Sequence, residues 1–201
     1  MKLYSSPGAC SLADHIALHW AGATFDVQLV DRAQRREPAF LALNPAGAVP
    51  VLEHDGWVLT QNAAILHYIA DLHPQAGLAG TTPREAAEVN RWLSFLNADV
   101  HPAFHPLFGS TAFLEDAGTI DKTKDAARAK LRGLFERLDG QLEGRDWLTG
   151  TRSLADPYLF VVLRWARATG VDLSGLSNLD AFAKRMRADA GVKAAMEAEG
   201  L

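Results

Sequence analysis

The chain opens on a short apolar stretch, Lys2-Leu3-Tyr4, cut off by Ser5-Ser6-Pro7-Gly8. This reads as a strand running into a turn. Apolar residues then recur one helical turn apart at Leu12, Ile16 and Trp20. They predict a helix that opens at Cys10-Ser11 and ends on Gly22 as its C-cap. Phe25-Asp26-Val27-Gln28-Leu29 alternates with the period of a strand. Further on, Val49-Pro50-Val51-Leu52-Glu53 and Trp57-Val58-Leu59 flank His54-Asp55-Gly56. Asp-Gly between two apolar runs predicts a tight hairpin, because both residues accept positive φ. Helical spacing returns at Ala64, Ile65, Tyr68, Ile69 and Leu72. The order strand, helix, strand, connection, strand, strand, helix predicts a small mixed sheet with flanking helices.

The second half has a different texture. Pro74 to Pro83 is a Pro- and Gly-rich stretch suited to a linker. Beyond it no segment reads as a strand, whereas residues 84–108, 121–142 and 153–169 carry the helical period, with two shorter helices towards the C-terminus. The expected organisation is an α/β domain over 1–76, a linker over 77–83 and an all-helical domain over 84–201. Pro102 and Pro106 should bend or interrupt the first long helix. Ser153-Leu154-Ala155-Asp156 reads as a capping box, with Ser at the N-cap and a carboxylate at N3.

Composition narrows the function classes. The 201 residues are 48% hydrophobic with a net charge of −4, and the densest basic cluster is Arg32, Arg35 and Arg36. No basic stripe suits a nucleic acid. No apolar run approaches the ~20 residues of a membrane span. The polar turn after Tyr4 is no secretory signal, so a cytoplasmic home is expected. A lone cysteine, Cys10, leaves no disulfide framework and no thiolate-rich metal site. His101 and His105 stand four residues apart, but no H-E-x-x-H pattern or third ligand accompanies them, so no metal is expected.

Four ordered motifs carry a family likeness over essentially the whole chain. Met1-Lys2-Leu3-Tyr4 with Ser6-Pro7-Gly8-Ala9-Cys10-Ser11-Leu12 resembles the opening of bacterial beta-class glutathione transferases. Asn44-Pro45-Ala46-Gly47-Ala48-Val49-Pro50 is similar to that family's loop before a cis-proline. Leu59-Thr60-Gln61-Asn62-Ala63-Ala64-Ile65 is similar to its glutathione-binding turn, and Ser153-Leu154-Ala155-Asp156-Pro157-Tyr158 to its helical-domain capping motif. The resemblance implies a thioredoxin-like domain, with a four-stranded mixed sheet and flanking helices, followed by a helical bundle. It further implies a homodimer that uses glutathione, without metal or nucleotide, to conjugate hydrophobic electrophiles.

The residues it marks can be weighed chemically. Cys10 alone reads as a small buried hydrophobe or a reactive thiol. At a helix N-terminus its thiolate, or that of a bound glutathione, would be stabilised. Ser11 is either a second hydrogen-bond donor to the glutathione sulfur or an ordinary first-turn residue. Tyr4 is a weaker candidate for that role. Val49, before a cis Pro50, would offer its backbone to the bound peptide. Gln61 and Asn62 would meet the γ-glutamyl end at a helix start, although Asn62 also suits an N-cap. In the family an acid precedes the small residue here, so the amide pair is a departure. Arg35, or Arg36 beside it, would reach the glycyl carboxylate, and Ser94 joins the glutathione set. His101 is expected near the sulfur, with Pro102 where a lysine is usual. The electrophile would lie among His101, Phe104, His105, Phe108 and Trp165. Two rival readings share the fold: thiol-disulfide or peroxide reduction through a Cys10–glutathione disulfide, and a non-catalytic binding protein. With no second cysteine, any exchange disulfide would have to be intermolecular.

Overall fold

A computed structural model describes all of residues 1–201. Its first part is a four-stranded sheet in the order β2-β1-β3-β4, made of β1 (Lys2–Ser5), β2 (Asp26–Leu29), β3 (Val51–His54) and β4 (Trp57–Thr60). β1 runs parallel to β2, with Leu3 opposite Val27, and antiparallel to β3, with Leu3 opposite Leu52. The β1–β2 connection is the crossover helix α1 (Ser11–Ala21), which a parallel pair requires. α1 stops at Gly22, whose φ of 67° lets its N–H turn back to the carbonyls of Leu18 and His19. β3 and β4 form the expected hairpin. Asp55 and Gly56 have φ of 49° and 77°, the geometry of a type I′ turn that matches strand twist.

The pleat sends alternate residues of β1 to different clusters. Leu3 packs with Leu12, Ile16, Leu52 and Ile65 in the main core, whereas Tyr4 joins Val30, Phe40, Val49 and Val51 on the other face. That second face is covered by the short α2 (Pro38–Leu43), and the first by α1 and α3 (Asn62–Leu72).

The helical part comprises α4 (Pro83–Phe95), α5 (His101–Ala103), α6 (Ala117–Gln141), α7 (Ala155–Ala168), α8 (Ser177–Ala188) and α9 (Ala190–Ala198). α4 starts with a full capping box: the Glu85 N–H donates to Thr82 Oγ1 and the Thr82 N–H to Glu85 Oε2, each at 3.2 Å. The predicted helix over 84–108 continues only to Ala103. A π-helical turn, Leu96–Val100, widens it just before Pro102, and the His101 N–H reaches back five residues to the Leu96 carbonyl. Pro102 has no N–H to keep the ordinary ladder, so the helix accommodates it by widening. After Ala103 the chain proceeds through turns, past Pro106. α7 is buried on almost every side from Ala155 to Leu163, as a central helix must be. The capping motif departs from the expected form. Asp156 accepts the N–H groups of Ser153 and Leu148, at 2.7 and 3.0 Å, but the Ser153 hydroxyl also donates to this carboxylate and caps no N–H.

The two parts share one apolar core, running from Leu3 and Leu12 to Phe182 and Ala195. α1 packs against α3 of the first part and against α7 and α9 of the second. A buried polar chain crosses the same seam. The Ser6 N–H donates to Ser11 Oγ, and Ser11 and Ser5 hydroxyls are 2.7 Å apart. Ser5 Oγ donates to Glu199 Oε1 at 2.7 Å, and the Gly8 N–H to Glu199 Oε2 at 3.0 Å. His15 Nδ1 lies 3.1 Å from the same carboxylate, which is almost wholly buried. No helix is long and apolar enough to cross a membrane.

Candidate functional site

A cleft of about 160 Å³ opens where the start of α1, the loop before β3, the start of α3 and the α4–α5 junction converge. Asn44 shapes the loop. Its Nδ2 donates to the Ala48 carbonyl at 2.7 Å and its Oδ1 accepts the Ala46 N–H at 3.1 Å. Gly47 takes φ 60°, and a Cβ there would stand 3.1 Å from the Arg35 carbonyl oxygen, so the position favours glycine twice over. The loop delivers Val49 and Pro50 into the cleft across a cis peptide bond. No backbone carbonyl of the chain pairs with the Val49 N–H.

Cys10 lies across from this backbone, its thiol donating to the Val49 carbonyl at 3.6 Å. Burial, with the Asp14 carboxyl one turn on, pushes the Cys10 thiol up to about 12. Desolvation thus outweighs the helix N-terminus, and Cys10 at neutral pH is a protonated hydrogen-bond donor. Of the two readings open for Cys10, the structure therefore favours a buried, protonated thiol over a reactive thiolate. Asn62 also departs from its N-cap reading. It is the first residue of α3, has no capping bond, and donates through Nδ2 to the Cys10 carbonyl at 3.0 Å, pinning the two helix starts together. Gln61, before it, holds φ 77°, a conformation uncommon outside glycine. α3 has no acidic residue in its first turn, so its free N–H groups and dipole favour an anion.

The basic residues fall next door. Arg32, Arg35 and Arg36 line an adjoining hollow of about 320 Å³ with Ala46 and Gly47, and Ala46 belongs to both hollows. Arg35 is the partly buried one and its Nε has no partner, while Arg36 is exposed. On the opposite wall His101 and Tyr158 face Cys10, the phenol oxygen 2.6 Å from His101 Nδ1 and 3.3 Å from Asn97 Oδ1. Burial, and the nearby His105, lower His101 to about 4, so the ring is neutral at physiological pH. Burial likewise pushes the Tyr158 phenol up.

The aromatic residues form one cluster beside His101. Its ring centroid is 4.7 Å from Trp165 and 6.0 Å from His105, and Trp165 meets Phe108 edge-on at 5.2 Å. Trp165 Nε1 also donates to the Gly8 carbonyl at 2.8 Å, locking this wall to the turn before Cys10. Phe104 stacks on Phe108 but has no exposed surface, so it backs the wall and cannot touch a ligand.

Three sequence candidates lie elsewhere. Ser11 is fully buried with its hydroxyl in the Ser5–Glu199 chain, because its position on α1 faces the interior. Ser94 is exposed on α4, outside the cleft lining. Tyr4 points to the far face of the sheet and donates to Glu53 at 3.1 Å. Sequence reasoning passed over Asn97 and Tyr158, the latter hidden in a motif that reads as purely structural, and Glu199, which no local pattern marks. No group of three His, Cys, Asp or Glu side chains is placed to hold a metal ion.

Residues 1–71 match the family model of the glutathione S-transferase N-terminal domain, and residues 96–189 that of the glutathione S-transferase C-terminal domain. The chain belongs to the glutathione S-transferase family. It is 60% identical, over the full length of both chains, to a glutathione S-transferase of Xanthomonas campestris pv. campestris. Its fold matches a glutathione S-transferase from Xylella fastidiosa with a TM-score of 0.98 and 55% identity, covering all of this chain and 98% of the other. A beta-class enzyme of Sphingomonas chungbukensis matches over the whole of both chains with a TM-score of 0.88 and 43% identity. The beta-class resemblance of the four motifs thus holds for this transferase.

Proposed function

We propose that this transferase binds glutathione in the Cys10–His101 cleft and adds its sulfur to hydrophobic electrophiles held against Trp165 and Phe108. The γ-glutamyl carboxylate would sit at the start of α3 by Gln61 and Asn62. The peptide would pair with the Val49 backbone and the glycyl carboxylate would reach Arg35. The thiol then lies between the Cys10 S–H donor and the neutral His101 ring. In a substitution the glutathione S–H bond breaks as the C–S bond forms, the leaving group departs with its electron pair, and the proton passes to His101 and on to solvent. Desolvation by the aromatic wall strengthens each hydrogen bond at the sulfur.

The observation that carries this reading is the convergence of a thiol donor, a neutral imidazole, an anion-seeking helix start and the Val49 backbone on one cleft. Glutathione conjugation to a chloronitrobenzene, measured with wild type and His101→Ala, tests it. A fall in kcat with little change in the KM for glutathione is expected, and equal rates for both proteins would contradict it. Exchange through a Cys10 mixed disulfide is less well supported, because burial keeps Cys10 protonated and the thiolate is the attacking form.

The division into 1–76, 77–83 and 84–201 separates a glutathione-holding part from an electrophile-holding part. A homodimer fits the apolar rim of the first part, where Trp57 on the edge strand β4 is 51% exposed and Leu72 on α3 is 39% exposed. Cytoplasmic detoxification of small electrophiles is the role proposed.

A further inference from the structure

We infer that Asn97 and Tyr158 are positioning residues that set the tautomer of His101, holding its proton on Nδ1 and leaving Nε2 as the acceptor for the thiol. The inference rests on the proposed transferase reading for its catalytic meaning, but not for its geometry. The Tyr158 phenol has one proton and two neighbours, His101 Nδ1 at 2.6 Å and Asn97 Oδ1 at 3.3 Å. The Asn97 carbonyl oxygen can only accept, so it takes the phenol proton. The phenol oxygen is then left to accept from Nδ1–H, and both contacts are hydrogen bonds. In the opposite arrangement the phenol proton goes to Nδ1 and two oxygens face each other with nothing between them.

The fold holds the three groups in this order. The Tyr158 ring is fully buried on α7, so its oxygen has little freedom. Asn97 lies within the π-helical turn and His101 directly follows it, both carried to the same phenol on the widened stretch that precedes Pro102. With Nδ1 protonated, the glutathione S–H donates to Nε2. The thiol loses its proton to Nε2 as the C–S bond forms, when the sulfur becomes far more acidic than in the free thiol. A neutral, weakly basic ring suits a transfer that late.

Two-bond proton–nitrogen correlation spectra of the imidazole rings test this in the protein without glutathione, with His101→Gln assigning the resonance. Wild type is expected to show the Nδ1–H pattern. In Asn97→Leu, at an exposed position that should leave folding intact, the phenol is released to donate to Nδ1 and the pattern should switch to Nε2–H. Asn97→Asp, which keeps an acceptor, should retain Nδ1–H. Conjugation by Asn97→Leu should fall on the order of tenfold in kcat with the KM for glutathione nearly unchanged, within the range of general base contributions. An Nε2–H pattern in wild type, or the same pattern in wild type and Asn97→Leu, would overturn the inference. A wild type that shows Nδ1–H and its switch but conjugates nothing would support the tautomer assignment and count against the transferase reading instead.

Discussion

Asp14 is a buried carboxyl without a partner, and replacing it should stabilise the fold. It lies on α1 with no exposed surface, and neither carboxyl oxygen has a hydrogen-bond partner. Burial, reinforced by the Glu199 carboxylate, raises its pKa well above the usual carboxylate range. In the unfolded chain an aspartate titrates near about 3.9. From there up to the raised folded value, the native state holds a proton that the unfolded state has lost. Stability contributed by this group is therefore full at acid pH and falls as pH rises. An ordinary aspartate is already ionised at pH 7, about 3 pH units above its titration point, so the loss there cannot exceed about 4 kcal/mol at ~1.36 kcal/mol per pH unit. Asp14→Asn has the same shape and cannot ionise. Urea unfolding of both proteins from pH 5 to 8 should show the variant more stable at neutral pH, by up to that ceiling, with the advantage shrinking towards acid. A variant less stable than wild type by the same amount at every pH would refute the reasoning, since it would mean that the native carboxylate is ionised and partnered.

Three further outcomes follow from the same geometry. Glu199→Ala removes the acceptor for Ser5, Gly8 and His15 at once and should cost about 3–5 kcal/mol in denaturant unfolding, since each buried donor left unpaired costs about 1–3 kcal/mol; a loss below about 1 kcal/mol would show that the seam is held by its apolar contacts alone. Arg35→Ala should raise the KM for glutathione roughly tenfold with kcat unchanged, whereas Arg36→Ala should change neither, in line with the loss of one charge-assisted bond. Alkylation of Cys10 by iodoacetamide should stay slow at pH 8 and keep rising beyond pH 10, because its thiol is pushed up to about 12; a rate that levels off near neutral pH would mean a thiolate and would favour disulfide exchange.

Much of the architecture was legible because local chemistry decides it. Asp55-Gly56 announced the hairpin through the positive φ both residues adopt, and Gly22 the end of α1 for the same reason. Helical periodicity located α3, α6 and α7 to within a few residues. It could not see that the helix after Pro83 would widen at Leu96–Val100 and give way to turns after Ala103, because the apolar spacing carries on regardless of the missing N–H groups at Pro102 and Pro106. The cleft was partly legible. Cys10, Val49, Pro50, Gln61, Asn62 and His101 all line it, and Arg35 adjoins it. The two readings of Ser11, sulfur donor and ordinary first-turn residue, could not be separated because adjacent helix positions differ by about 100° in direction, which a motif does not record. The choice between a buried and a reactive Cys10 stayed open in the sequence because a helix N-terminus is visible there and desolvation is not. Tyr158 was missed because its ring is core and only its oxygen reaches the cleft. Asp14 and Glu199 depend on which parts of the chain meet across the seam, and nothing local encodes that.

The most direct test of the central claim, that this cleft binds glutathione and activates its sulfur, is titration of reduced glutathione into the Cys10→Ala variant, followed by calorimetry and by the ultraviolet absorbance of the thiolate. The variant leaves glutathione as the only thiol in solution. Saturable binding is expected, with little thiolate absorbance in the resting complex at neutral pH because Nε2 of His101 holds the thiol by its proton, and conjugation on adding electrophile. No saturable binding to the variant or to wild type would contradict it.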